Sequence, residues 1–304
     1  MKKSLIVSII CFILMCNLCF AKTIIVDKYG NGDFFAIQDA LDSSDHLVNT
    51  IKVLPGIYEE NIKIDRRISL IGSGPNMTYI RAISQIESAI KTNGTDPIFI
   101  QGFKISGTKG IQIESHSTTT IKNCIILNCG DGIRMNINRD TYCVVVITNN
   151  TIYNNTNGLY LPNPYPYSTI HIFGNIIAFN KENGIYTDNI NKLSINYNDV
   201  YANLNDYKGC QKGTGDISKD AKFMDVETGN FILMNDSPCI NSGIFGDYFD
   251  PDGTRNDMGA YAGPDSASFW PYVTGGPIVT DIVLIPSSVP QGESITVTAK
   301  GQVR

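Results

Sequence analysis

The chain has 304 residues, a net charge of −5, and charged residues at 17%, below the usual quarter. Its pI near 5.2 and lack of a basic stretch argue against a nucleic-acid partner. The roughly 280 residues that follow the N-terminal segment are enough to bury a large core.

Residues 1–21 read as a signal peptide. Lys2 and Lys3 form a charged start, Leu5 to Phe20 an apolar run, and Cys19-Phe20-Ala21 a small-x-small cleavage site. The apolar run is also about long enough to span a bilayer, so an uncleaved anchor is the alternative. Neither Cys16 nor Cys19 sits in a lipoprotein signal. The mature chain is expected to be secreted or held at the cell surface or periplasm, off the membrane once the signal is cut.

Thr23 to Val26 is a short β-rich run, and Lys28 to Asp33 a glycine turn. Asp33 is placed to N-cap a helix over about Phe35 to Leu41, with Ile37, Ala40 and Leu41 on one face. A lone amphipathic helix ahead of a repeat array reads as its cap. Further short strands follow at Thr50–Leu54, Tyr58–Ile64, Ile68–Ile71, Tyr79–Arg81 and Ala89–Lys91.

From residue 99 to 203 the chain repeats itself. Ile100-Gln-Gly-Phe103-Lys-Ile105, Ile121-Lys-Asn-Cys124-Ile-Ile126, Ile147-Thr-Asn-Asn150-Thr-Ile152, Ile172-Phe-Gly-Asn175-Ile-Ile177 and Ile195-Asn-Tyr-Asn198-Asp-Val200 align column by column. Gly110-Ile-Gln-Ile113, Gly132-Ile-Arg-Met135, Gly158-Leu-Tyr-Leu161 and Gly184-Ile-Tyr-Thr187 form a second set. A period of roughly 20–25 residues means a solenoid. Strands this short, turned at every end, must pair with their equivalents one coil along, giving parallel sheets and stacked identical side chains. Of the 29 Asn, 19 lie between 123 and 205, so the asparagine bias follows the repeat and marks turn ladders.

Five cysteines lie beyond the signal: Cys124, Cys129, Cys143, Cys210 and Cys239. Cys124 and Cys129 occupy columns that hold Asn elsewhere and should be small buried residues. Cys210 and Cys239 could form a disulfide in an oxidising compartment. No cysteine–histidine cluster has zinc spacing.

Alternation places Ile111, Ile133, Leu159 and Ile185 inside, so Gln112, Arg134, Tyr160 and Tyr186 should form an outward row. At about 4.8 Å per coil the row spans roughly 15 Å, which suits a few sugar rings stacking on aromatics with a guanidinium beside them. This row is the candidate polysaccharide-binding site. Loops beside it contribute His116, Asp131, Arg139, Asp140 and the aromatic run Pro162 to Tyr167. A lyase would need a base and a cation near a uronate, and Arg134, Arg139 or Lys109 with Asp131 or Asp140 are the candidate catalytic residues, with calcium as a possible aid. His171 falls within a strand and reads as packed or surface-exposed. Asp250, Asp252 and Asp257, with Gly253, resemble a calcium loop but lack the full ligand pattern, and turn residues closing the last coil are the other reading.

Asp33-Phe-Phe-Ala-Ile-Gln-Asp-Ala-Leu41, Ile51 to Ile62 and Ile68 to Gly74 resemble the opening of pectin methylesterases and of many non-esterase right-handed parallel β-helix proteins. Asn149 to Asn155 and the Gly-Ile-x-x strands resemble the repeats of the latter, and Ser237 to Gly243 with Asp250 to Tyr261 the closing segment of exported bacterial β-helix proteins. The resemblance covers roughly residues 23–264. It implies an all-β, right-handed single-stranded parallel β-helix of the pectin lyase-like type with a short N-terminal capping helix, and sugar binding along one exterior sheet. Beyond Gly56-Ile-Tyr-Glu59 the esterase catalytic motifs are absent, as are those of polygalacturonases and of one pectate lyase family. Glu59 and Glu60 belong to that turn motif and read as structural.

The expected organisation is a signal peptide at 1–21, a β-helix over 22–264, and a linker with the start of an incomplete immunoglobulin-like sandwich at 265–304. The expected role is that of a monomer binding polysaccharide without catalysis; a uronate-polymer lyase and a structural spacer are the alternatives.

Overall fold

The structure is a computed structural model that describes residues 22–44, 48–114, 118–136, 143–162, 168–188, 193–246, 248–271, 278–285 and 296–302. The signal segment therefore lies outside the described residues, as do His116, Arg139, Asp140 and Asn163 to Tyr167. Among the described residues no helix is long and apolar enough to cross a membrane.

The repeat coils into a parallel β-solenoid of three sheets, one with eight strands and two with seven. In each full coil the chain visits the eight-stranded sheet, then the second, then the third. The aligned columns of the sequence become ladders of side chains. In the first sheet Ile51, Leu70, Ile100, Ile121, Ile147, Ile172 and Ile195 stack in register. In the second, Ile80, Ile105, Ile126, Ile152, Ile177 and Val200 do the same. These side chains point inward and, apart from Ile195 at the last coil, are essentially inaccessible. β-branched residues suit the role because their single preferred rotamer repeats from coil to coil.

The asparagines satisfy the backbone at the corners. Asn150 accepts from Cys124 N at 3.0 Å, Asn175 accepts from Asn150 N at 3.0 Å, and Asn198 accepts from Asn175 N at 3.1 Å. Each amide nitrogen donates back to a carbonyl of the preceding coil, at Ile121, Ile147 and Ile172. Asp216 closes the ladder as a pure acceptor for Asn198. A second ladder runs Asn155, Asn180, Asn203 and ends on Asp206. Cys124 and Cys129 are the buried first rungs of the first and second ladders respectively, as their columns required, and burial pushes both thiols up to about 12. In the separate column of Gly110, Gly132, Gly158 and Gly184 the reason for glycine is close approach: a Cβ on Gly158 would lie 2.6 Å from Gly184 O.

The capping helix, α1, spans Ile37–Ser43 and buries Ile37, Ala40 and Leu41 against the first coil. Its N-cap differs from expectation. Asp33 turns away and accepts from Ile25 N at 2.8 Å. Glu60 caps the helix instead, its two carboxylate oxygens each accepting at 2.9 Å from Ile37 N and Gln38 N. A glutamate on the coil above serves better here because it ties helix to solenoid while meeting two orphan donors.

The C-terminal segment does not merely close the last coil. It folds back along the outside of the second sheet. Met258 and Leu233 pack over Ile176 and Ala178, and Phe231, Ala260 and Phe269 cover Ile125 and Leu127. Asn123 Nδ2 donates to Ala260 O and Ala262 O, and buried Lys122 pairs with Asp265. A Cβ on Gly74 would lie 2.6 Å from Phe269. This strap therefore continues past residue 264, where the composition shifts. Further on, Ile278–Ile285 and Thr296–Gln302 pair as antiparallel strands. Cys210 and Cys239 are both free thiols, correcting the disulfide expectation: Cys239 lies buried 3.3 Å from Asp199 under the strap, while Cys210 sits over Ile185 O in the solenoid.

Candidate functional site

With the second sheet covered from Ile125 to Ala178, the outward residues proposed as a binding row lie on the third sheet. Its strands Lys109–Ile113, Asp131–Met135, Asn157–Leu161 and Asn183–Thr187 pair so that Gln112, Arg134, Tyr160 and Tyr186 are direct neighbours in one outward row. The row is longer than the repeat motif suggested. Lys63 and Lys91 precede it and Lys208 follows it. Seven rungs at about 4.8 Å per coil extend over roughly 29 Å.

Within the row the side chains stack on one another along the solenoid axis. The Tyr160 and Tyr186 rings lie parallel, 4.8 Å between centroids and 8° between planes. The Arg134 guanidinium sits 4.7 Å from the Tyr160 centroid, and the Lys208 ammonium 5.7 Å from that of Tyr186. Cation, ring, ring, cation thus form a continuous column, each contact of the kind that favours an electron-rich ring face. The ring faces meet each other and the two cations, so hydroxyls, ring edges and charged tips are what the column offers outward. The Tyr186 hydroxyl donates to Asp188, which pushes its pKa up.

Two carboxylates lie beside the row, one at its second and third rungs and one at its fourth. Glu114 accepts from Lys91 at 2.8 Å, from Gln112 and from Asn136; burial pushes its pKa up, but these bonds outweigh that and hold it below the usual carboxylate value. Asp131 pairs with Arg134 at 2.8 Å. Its other oxygen accepts from Asn157 Nδ2 at 2.9 Å, beginning a third ladder that continues through Asn183 and Asn205. Asp131, proposed from sequence as a base, is thus the terminal rung of a structural ladder with both oxygens engaged. The signal was present in the sequence, since Asp131, Asn157 and Asn183 each precede the repeated glycine.

Of the remaining candidates, Lys109 stands beside the first rungs of the row and the others lie away from it. Lys109 Nζ donates to Ile86 O at 3.2 Å. His171 sits half-buried in the first sheet between Val146 and Ser194. Asp250, Asp252 and Asp257 do not assemble as calcium ligands. Asp250 accepts from the backbone of Asp257 and Gly263, Asp257 accepts from Asn241 N at 2.6 Å, and Asp252 caps Thr254. Among the described residues no three His, Cys, Asp or Glu side chains gather as a metal site. Burial pushes the pKa of both Asp250 and Asp257 up, and the neighbouring Asp250 charge adds to the rise at Asp257.

A search of curated protein sequences finds no match. The family model described as right handed beta helix region matches residues 66–165 and 89–219, which together cover slightly more than half of the chain. With the three parallel sheets and their stacked columns, this places the chain in the right-handed β-helix family.

Proposed function

We propose that this is an exported β-helix protein that binds polysaccharide through the outward column of the third sheet, without catalysis. The observation that carries the reading is the uninterrupted stack Arg134, Tyr160, Tyr186, Lys208 on a rigid sheet that the strap leaves open. Tyrosine hydroxyls and cationic donors at a fixed repeat of about 4.8 Å suit a linear polymer of hydroxyl-bearing rings. The preorganised rows lose little side-chain entropy on binding. Engagement of both Asp131 oxygens favours binding over lyase chemistry, which needs a base able to take a proton. Export is proposed from the character of residues 1–21.

A glycan array tests the reading. The wild type is expected to bind a subset of polysaccharides, and Tyr160→Ala with Tyr186→Ala to lose at least about tenfold in affinity, worth about 1.4 kcal/mol, with the unfolding midpoint retained. A blank array for the wild type would leave a structural spacer. A rise in ultraviolet absorbance on incubation with uronate polymers and calcium would instead establish a lyase.

A further inference from the structure

The third sheet is not flat along its whole length. Between Arg81 and Ser88 the chain leaves the repeat, and Ile83 and Ile86 stand 65% and 79% exposed on that connection. The connection is nonetheless anchored. Asn61 Oδ1 accepts from Ile83 N at 3.2 Å and Ser84 N at 2.9 Å, and Asn61 Nδ2 donates to Ser88 O at 2.9 Å. Ser84 Oγ accepts from Ile86 N and Glu87 N, both at 3.2 Å. Lys109 Nζ reaches back to Ile86 O. The result is a wall beside the first three rungs of the outward row. It flanks a half-open cavity of about 350 Å³ lined by Lys63, Lys91, Lys109, Gln112, Ile86 and Glu87, among others.

We propose that this cavity is an end subsite for an anionic sugar residue, carrying a carboxylate or a sulfate, of the polysaccharide bound by the row. This rests on the polysaccharide reading above and adds the ligand's charge and the end of the row at which that charge is held. Three ammonium groups line the cavity against one carboxylate, Glu87. Lys91 is committed to Glu114 at 2.8 Å. Lys109 uses one of its three donors on a backbone carbonyl. Lys63 has Asp65 at 3.6 Å, beyond hydrogen-bond length, with both side chains more than half exposed. Lys63 and Lys109 therefore keep donors for a ligand, and charge-assisted bonds to an anion are the strong ones. The volume lies at the lower end of ligand pockets, which run from roughly 300 to 1,000 Å³. Ile86 offers the apolar wall that a sugar's C–H face needs. Gln112 belongs both to the cavity and to the row, so a polymer lying along the row leads into the cavity and meets the wall there.

The test is calorimetric titration at low ionic strength, where charge contacts are least screened, of a neutral hexose trimer, its uronate counterpart and its sulfated counterpart. The wild type is expected to prefer one or both anionic trimers by about tenfold, or 1.4 kcal/mol. Which anionic trimer wins identifies the group recognised. Lys63→Gln with Lys109→Gln should abolish the preference, weakening the anionic trimers by about tenfold more than the neutral one. Because Lys109 also anchors the wall, Lys63→Glu at its exposed position is the second variant, and it should reduce the preference on its own. Tyr160→Ala with Tyr186→Ala should weaken all three trimers and keep the preference. Equal binding of neutral and anionic trimers, or a preference that survives both lysine variants, overturns the subsite while leaving the polysaccharide reading intact. Failure of the wild type to bind any trimer or any arrayed glycan overturns both.

Discussion

Replacing Asn175 separates the contribution of the asparagine ladder from that of the aliphatic core, because Asn175 is fully buried yet touches its neighbours mainly through hydrogen bonds. Its Oδ1 accepts from Asn150 N and Asn150 Nδ2, both at 3.0 Å. Its Nδ2 donates to Ile147 O at 2.8 Å, Asn198 Oδ1 at 2.9 Å and Phe173 O at 3.1 Å. Asn175→Ala strands at least the Asn150 N–H and deprives the Ile147 carbonyl of this donor. At about 1–3 kcal/mol for each buried group left unpaired, the expected loss is roughly 2–6 kcal/mol. Asn175→Asp keeps the acceptor but turns an oxygen toward three other oxygens, so it should cost more still near neutral pH. That aspartate would have a raised folded-state pKa. Its neutral form is favoured in the fold, so its stability deficit should grow as pH rises through that pKa and shrink in acid. Urea unfolding followed by far-ultraviolet circular dichroism at two pH values measures both effects. A loss below about 1 kcal/mol for Asn175→Ala, the level of an ordinary surface change, would refute the claim that the ladder's amides are needed by the buried backbone. So would an Asn175→Asp variant as stable as wild type at neutral pH.

Asp199 lies fully buried beneath the strap, where burial pushes its pKa up to about 6, so the folded state binds a proton that the unfolded chain releases near pH 4. Stability should therefore fall as pH rises from about 4 to about 6, by up to roughly 3 kcal/mol for about two pKa units, and Asp199→Asn should flatten that part of the pH–stability curve; an unchanged slope in the variant would count against it. Glu60→Ala removes both acceptors at the N-terminus of the capping helix and is expected to cost about 1 kcal/mol, typical of a lost cap. Asp33→Ala should leave that terminus intact, a contrast readable by thermal unfolding and by hydrogen exchange at Ile37 and Gln38.

The repeat was legible because a solenoid writes its architecture into local sequence. Ile100, Ile121, Ile147, Ile172 and Ile195 share a column in the sequence and a ladder in the fold, since each coil meets only its neighbours. Strand alternation likewise placed Gln112, Arg134, Tyr160 and Tyr186 in one outward row without any knowledge of the tertiary structure. Alternation says which side a residue takes, but not which way its ring turns. That Tyr160 and Tyr186 stack on each other, between Arg134 and Lys208, depends on rotamers chosen jointly across four coils. Asp131 looked catalytic because an isolated carboxylate beside a sheet can act as a base; its ladder partner Asn157 lies 26 residues away in sequence and one coil away in space.

What the sequence determined by itself was therefore whatever repeats: the parallel sheets, the inward aliphatic columns, the asparagine corners and the outward row. What only the tertiary structure decided was whatever breaks the period. Glu60 in place of Asp33 at the helix cap, the strap that buries Asp199 and covers the second sheet, the free thiols of Cys210 and Cys239, and the lysine-lined cavity walled by Ile86 all arise from contacts between segments with no periodic relation. Periodicity transmits geometry from one coil to the next, whereas a contact made once leaves no pattern in the sequence from which it could be read.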